Sequence, residues 1–199
     1  MGRTPLTQRP PLPLLRDEEV IQVQPDQAAL TERYVDEALQ FMRSHQDQPF
    51  FLYFAHMYVH IPIYAPWRFL KSSVNGPYGA GVECVDWSVG MLLFELQRLG
   101  LDRNTLVIFT SDNGARGDRG GSNAPLSGRK ATTAEGGQRV PCILRWPGVL
   151  PAGQVSSELA TSMDFLPTLS LWAGAQPPAD RPIDGMDIRA VFAAQPGAR

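Results

Sequence analysis

Three short stretches carry side chains whose types and spacing suit chemistry. The first is Ser111-Asp112-Asn113-Gly114, which follows directly on the apolar run 105–110. Asp112 and Asn113 offer a carboxylate and an amide carbonyl, the hard oxygen donors that Ca²⁺, and to a lesser degree Mg²⁺, prefers. The same tetrapeptide also serves as an ordinary polar turn. The second is His56-Met57-Tyr58-Val59-His60-Ile61-Pro62. Histidine as a residue type changes charge near neutral pH, so His60 is suited to giving a proton to a leaving oxygen or hydrogen-bonding an anion, while a structural role is the alternative. His56 and His45 are weaker candidates for the same work. The third is the run from Gly128 to Gly137, GRKATTAEGG, in which Lys130 stands among backbone amides, hydroxyls and Arg129. Such a loop can surround an anionic group or lie solvated on the surface. Lysine is scarce, only Lys71 and Lys130 occurring among 18 basic residues, which favors a specific use of Lys130.

Elements that would position these residues are legible in the periodicity. Asp26 is placed to cap a helix in which Leu30, Tyr34, Val35, Ala38, Leu39 and Met42 recur at spacings of three and four, to about Arg43. The run Phe50 to Ala55 is short and aromatic-rich, as expected of a strand buried on both faces, and the His60 stretch is the loop after it. After a Gly/Pro stretch (75–81), Val82, Val85, Val89, Leu92, Leu96 and Leu99 form the stripe of a second helix ended by Gly100. Residues 105–110 are expected as a second strand and 140–146 as a third. Asp164 caps a last helix with Pro167 in its first turn and Gly174 at its end. Alternating helices and strands predict an α/β fold with a mostly parallel sheet, its ligand crevice beyond the C-terminal strand ends. Residues 1–25 read as an irregular lead-in and 26–199 as the folded region.

Composition narrows the partners. Eighteen Lys plus Arg against 20 Asp plus Glu leaves no whole-chain field for nucleic acid or an anionic membrane. No apolar run approaches the ~20 residues of a membrane span, and no signal-peptide core is present, so the compartment is left open. Cys84 and Cys142 have no metal-binding spacing and read as buried free thiols.

Taken together, the motifs resemble the sulfatase family of the alkaline-phosphatase-like superfamily. The resemblance runs through PFFLY (49–53) with His60 and Pro62, YGAG (78–81) with Asp86, and TSDNG (110–114). It continues in KATTAEGGQRVP (130–141), WPG (146–148), DFLPT (164–168) and DGMD (184–187). It implies an alkaline-phosphatase-like α/β domain that hydrolyzes aryl or carbohydrate sulfate esters with a formylglycine nucleophile beside one Ca²⁺. By that pattern Asp112 and Asn113 match calcium ligands, His60 the histidine near the leaving group, and Lys130 the sulfate-binding lysine. Family members are often exported or lysosomal.

Two departures qualify the resemblance. Formylglycine arises from the Cys or Ser of Cys/Ser-x-Pro/Ala-x-Arg, and neither Cys84-Val85-Asp86-Trp87-Ser88 nor Cys142-Ile143-Leu144-Arg145-Trp146 has that context. The further calcium ligands come from an adjacent aspartate pair, and the chain has no Asp-Asp. The expectation is a middle-to-C-terminal part of a sulfatase catalytic domain, inactive alone and completed by an N-terminal part of the same enzyme. The alternatives are an inactive sulfate- or sulfated-glycan-binding remnant, or a phosphatase or phosphodiesterase of the same superfamily. Only three histidines argue against a dinuclear phosphatase site.

Overall fold

In the computed structural model of the chain, which describes residues 10–198, the first helical stripe becomes α1, Leu30–Ser44. Asp26 starts it: its carboxylate accepts from Ala28 N at 3.0 Å, and a 3₁₀ turn, Gln27–Ala29, leads into the helix. Leu30, Val35, Ala38, Leu39 and Met42 are buried, as their spacing requires. The described residues divide into two compact units. One comprises those up to Leu99 together with Gly114–Gln138, and the other Gly100–Asn113 with those from Arg139 on.

In the first unit α1 packs on α3, Gly76–Arg98, which also carries the short α2, Trp67–Ser72. Helix α3 begins inside the Gly/Pro stretch that was expected to precede it. Pro77 sits in its first turn, where the missing N–H has no helical partner anyway. Its buried face is also shifted from the expected stripe: Ala80, Cys84 and Ser88 are fully buried while Val82 is 46% exposed. Small side chains let α1 approach closely, and interhelix distance outranks hydrophobicity in choosing the face. At the far end Glu95, 2% exposed, accepts from Arg43 and from Arg98 at 2.6 Å each. Those two arginines hold its carboxyl down to about 2. Gly100, at φ +71°, follows the helix end.

Two expectations for this unit are corrected. Within the supposed irregular lead-in, Pro13–Arg16 (β1) and Glu19–Val23 (β2) form an antiparallel hairpin, while residues 1–9 lie outside the described residues. The strands are too short, and too exposed on both faces, to leave an alternating pattern. Conversely, residues 50–55 form no strand. Ala55 N and His56 N bond to Tyr53 O and Phe54 O at 3.2 and 3.0 Å, and Phe51 and Tyr53 are 77% and 80% exposed. A strand requires a ladder partner, and no described strand pairs with this run.

In the second unit β3, Val107–Thr110, pairs antiparallel with β4, Cys142–Arg145, in the register Val107↔Arg145 to Thr110↔Cys142. The described residues are thus α/β with two small antiparallel sheets, in place of the expected mostly parallel one. The last predicted helix is α5, Phe165–Trp172, with Pro167 in its first turn and Gly174 at φ +78° beyond its end. Trp172 stacks on Phe192 of the short α6, Arg189–Phe192, and meets Trp146 edge-on at 5.5 Å. Two motifs of the resemblance are used for folding here. Asp164 accepts from Thr161 N at 2.7 Å and Met186 N at 2.9 Å, and Ile188 N donates to Thr168 Oγ1 at 3.0 Å. Burial works to raise the Asp164 pKa, but these donors outweigh it and hold it below the usual carboxylate range.

Candidate functional site

Lys130 belongs to a loop that the first unit holds from several sides. Asn123 is its brace: Oδ1 accepts from Ala115 N at 2.7 Å, and Nδ2 donates to Ala115 O at 2.7 Å and Gly128 O at 3.3 Å. Lys130 N itself bonds Ala115 O at 3.0 Å, and Ala131 adopts φ +69°. Thr132 Oγ1 donates to Arg129 O at 2.7 Å and accepts from Arg129 N at 3.1 Å. The loop closes where Gly114 N meets Gly137 O at 3.0 Å, before the single helical turn α4, Glu135–Gln138, ends. A Cβ on Gly114 would strike the backbone of Gly136, and one on Gly137 would lie 2.6 Å from Arg129 O. Gly114 is therefore required by close backbone approach. The Lys130 side chain is half-buried, and no carboxylate pairs with its ammonium among the described residues.

His60 lies exposed in the same unit, its N–H closing a turn on Met57 O. Nδ1 is 2.7 Å from Ile61 O. A carbonyl only accepts, so Nδ1 carries the hydrogen in this contact. The other histidines are structural. His56 packs against Phe54 and Tyr58, and burial lowers its pKa, which keeps it neutral. His45 stacks on Phe41 at the end of α1, with Nδ1 2.8 Å from Phe41 O.

Asp112 and Asn113 follow β3 in the second unit. Ser111 Oγ donates to Asn113 O at 3.1 Å, which shapes the turn from within. The Asp112 carboxylate is exposed and accepts no hydrogen bond from the described residues, so its lone pairs are available. Among the described residues no group of three or more His, Cys, Asp or Glu could hold a metal. The structure thus places His60 and Lys130 in one unit and Asp112 and Asn113 in the other.

Two open clefts lie in the first unit. One, about 500 Å³, is lined by Ile61, Ile63, Pro77 and Tyr78 with Asn75 and the segment Asp118–Gly120. The other, about 590 Å³, is lined by Arg116–Asp118, Gly121–Leu126, Gly128, Arg129 and Thr132. Asp118 borders both.

Comparison with known proteins decides the family. The Sulfatase family model matches residues 6–175. The chain belongs to the sulfatase family. It is 45% identical to N-acetylgalactosamine-6-sulfatase of Rattus norvegicus over 90% of this chain and 37% of that protein. It is also 45% identical to steryl-sulfatase of the same species over 88% of this chain and 32% of that protein. Among solved structures it resembles Ps i-CgsB in complex with k-i-k-neocarrahexaose, with a TM-score of 0.78 and 32% identity over 82% of this chain and 38% of that one. The chain thus spans about a third of the length of these proteins.

In this sulfatase region Cys84 is buried as expected, whereas Cys142 is exposed, against the expectation of a buried thiol. Cys84 is 1% exposed in mid-α3, and burial pushes its thiol pKa up, against a hydrogen bond from Thr31. Cys142 lies within β4, paired with Thr110. Sequence reasoning missed Asn123 entirely. An asparagine in a Gly/Pro loop is ordinary turn chemistry, and nothing in its neighbors reveals that it grips two segments. No helix among the described residues is long and apolar enough to cross a membrane.

Proposed function

We propose that this chain is part of a sulfuric ester hydrolase in which Lys130 and His60 act on the substrate and Asp112 and Asn113 contribute to a Ca²⁺ site. The observation that carries the reading is Lys130 itself: a half-buried ammonium without a carboxylate partner among the described residues, on a loop fixed by Asn123 and Thr132. A cation held in place without a counterion is poised for an anionic ligand. In hydrolysis, charge grows on the sulfate oxygens and on the leaving oxygen. Lys130 would hold the former. His60, protonated at Nε2 while Nδ1–H stays on Ile61 O, would give its proton to the latter.

Asp112 and Asn113 fit a hard cation, since both present oxygen and the carboxylate is not committed elsewhere. They are fewer than the 6–8 oxygens Ca²⁺ takes, so other groups must complete its shell. Bound there, the ion would supply fixed positive charge. Formylglycine would come from outside this chain, in an alkaline-phosphatase-like α/β domain to which these residues contribute. The ester is an aryl or carbohydrate sulfate.

The test is release of inorganic sulfate by the enzyme that carries this region together with a nucleophile. His60→Ala should lower turnover about 10²–10⁴-fold on a sugar sulfate, whose alkoxide leaves poorly, and less on 4-nitrophenyl sulfate, whose leaving group needs no proton. Equal losses on both would remove His60 from the proton transfer. The 199-residue chain alone should show no turnover. Aryl sulfate hydrolysis by it above a Lys130→Ala control would contradict the external nucleophile.

A further inference from the structure

The YGAG stretch, Tyr78 to Gly81, has no task in the chemistry assigned to His60 and Lys130. It lies in the opening turns of α3, and both reacting loops rest on it. On one side is the segment 116–121, which leads from Ala115 to the brace Asn123. A Cβ on Gly120 would lie 2.6 Å from Tyr78 Cβ, and one on Gly121 would lie 2.7 Å from the Tyr78 hydroxyl and 2.8 Å from Ala115 Cβ. The two glycines therefore run the length of the tyrosine side chain, with no room for side chains of their own. Gly120, at φ +101°, takes a backbone conformation that only glycine adopts readily. Asn75 Nδ2 also reaches Gly120 O at 3.4 Å. Gly121 abuts Ala115, and Ala115 O accepts the Lys130 N–H at 3.0 Å. A short series of contacts thus joins the Tyr78 ring to the Lys130 backbone.

The other side of the stretch meets the His60 loop. Gly81 is buried, and a Cβ on it would lie 3.0 Å from Val59 Cγ1 and 3.3 Å from Ile63 Cγ2. These two residues bracket His60 in the chain. Both are β-branched and stiff about χ1, so a push on either passes into the loop backbone. The cleft of about 500 Å³ is bordered by all three elements: Ile61 and Ile63 of the His60 loop, Pro77 and Tyr78 of α3, and the segment Asp118–Gly120.

We propose that the opening turns of α3 are the common seat of the two reacting loops, Tyr78 positioning Lys130 through Gly120, Gly121 and Ala115, and Gly81 positioning His60 through Val59 and Ile63. This rests on the sulfatase reading and deepens it. Both are positioning residues, which act through what they touch. Misplacing a reacting group by about 1 Å can cost about 10²-fold in rate, so contacts this close govern turnover without taking part in the reaction.

The experiment is sulfate release from 4-nitrophenyl sulfate and from a sugar sulfate by the complete enzyme, with thermal melts of the same preparations. Tyr78→Ala should lower turnover about 10–100-fold on both esters, because Lys130 serves either one, and should cost nothing further in a Lys130→Ala background. Tyr78→Phe should recover the parent rate, since the hydroxyl makes no hydrogen bond among the described residues and the ring is the seat. Tyr78→Leu, which fills the space under Gly120 but not that under Gly121, should fall between. Where Tyr78→Ala does not fold, Tyr78→Leu decides by the same comparison. Gly81→Ala should act on the other arm, lowering turnover about 3–10-fold on the sugar sulfate, less on 4-nitrophenyl sulfate, and not at all in a His60→Ala background. Parent rates in Tyr78→Ala, losses that add in full to those of Lys130→Ala or His60→Ala, or a Gly81→Ala loss equal on the two esters would each overturn the proposal. The sulfatase reading fails separately, by unchanged turnover in Lys130→Ala and His60→Ala whatever the α3 variants do.

Discussion

The Lys130 loop and the Asp112-Asn113 turn are both polar and glycine-rich, yet the protein treats them differently. The loop is fixed by protein alone: Asn123 ties Ala115 to Gly128, Thr132 clasps Arg129, and glycines 114, 136 and 137 pack backbone against backbone. The turn has one internal side-chain bond, Ser111 Oγ to Asn113 O, and among the described residues nothing donates to the Asp112 carboxylate. A point cation must be placed before substrate arrives, because its value lies in needing no reorganization. A metal-ligand carboxylate has its geometry completed by the ion. The first region should therefore be sensitive to loss of protein contacts, and the second to the ion.

The largest effect that could break this contrast is on catalysis. In the complete enzyme Lys130→Ala should lower turnover about 10²–10³-fold with little change in melting temperature. Lys130→Arg should also be impaired, since a wide planar guanidinium does not replace a compact ammonium in a close site. Near-parent rates in Lys130→Ala would make the loop a merely solvated one. Next, Asn123→Ala strands Ala115 N and Gly128 O, while Ala115 O keeps its bond from Lys130 N, and should destabilize the unit by about 1–2 kcal/mol. It should also lower turnover, because it frees the segment that aims Lys130. Denaturant melts and kinetics on the same preparation would show whether the two losses travel together. Unchanged stability in Asn123→Ala would refute the claim that the loop is protein-fixed.

How much of this was legible in the sequence depends on whether a feature is local. Helix α1 and its cap at Asp26, the DNG turn after β3, and the Asp164 start of α5 all follow from residues within a turn of one another. Features resting on distant partners were not legible. The run Phe50–Ala55 has the composition of a buried strand, but composition does not supply a neighbor to pair with. The face of α3 was misjudged for the same reason: Ala80, Cys84 and Ser88 face α1 because they are small, and a hydrophobic count prefers the valines. Lys130 and His60 stood out by type and scarcity. Asn123, which orients the loop, is signaled by neither.

A yardstick for the protein-fixed unit lies away from both regions, at Glu95. Its carboxyl is held down to about 2 by Arg98 and Arg43, below an ordinary value of 4.5. A depressed carboxylate stabilizes fully above its unfolded pKa, and that contribution is lost as pH falls through the folded one. The arginines are half-exposed, so the contribution is about 1–2 kcal/mol after screening. Melting temperature should drop between pH 4.5 and 2 in the parent. In Glu95→Gln that part of the drop should be missing, from a lower starting stability. A parent and variant with parallel pH profiles would show that Glu95 does not titrate as the pair geometry requires.

The smallest expected effect tests the other side of the comparison. Two protein oxygens fall well short of the shell Ca²⁺ requires, so the 199-residue chain should bind it weakly, at millimolar levels or not at all. When ligand concentration merely equals Kd, binding stabilizes by about 0.4 kcal/mol, so added millimolar Ca²⁺ should shift melting by no more than a degree or two. Asp112→Asn should erase even that shift. Without calcium the same variant should melt like the parent to within about 0.5 kcal/mol, because an exposed carboxylate that accepts no hydrogen bond leaves no partner stranded. Calorimetry with sub-micromolar affinity in this chain would mean that further ligands lie within it. A clear loss of stability in calcium-free Asp112→Asn would mean that the turn, like the Lys130 loop, is fixed by protein contacts.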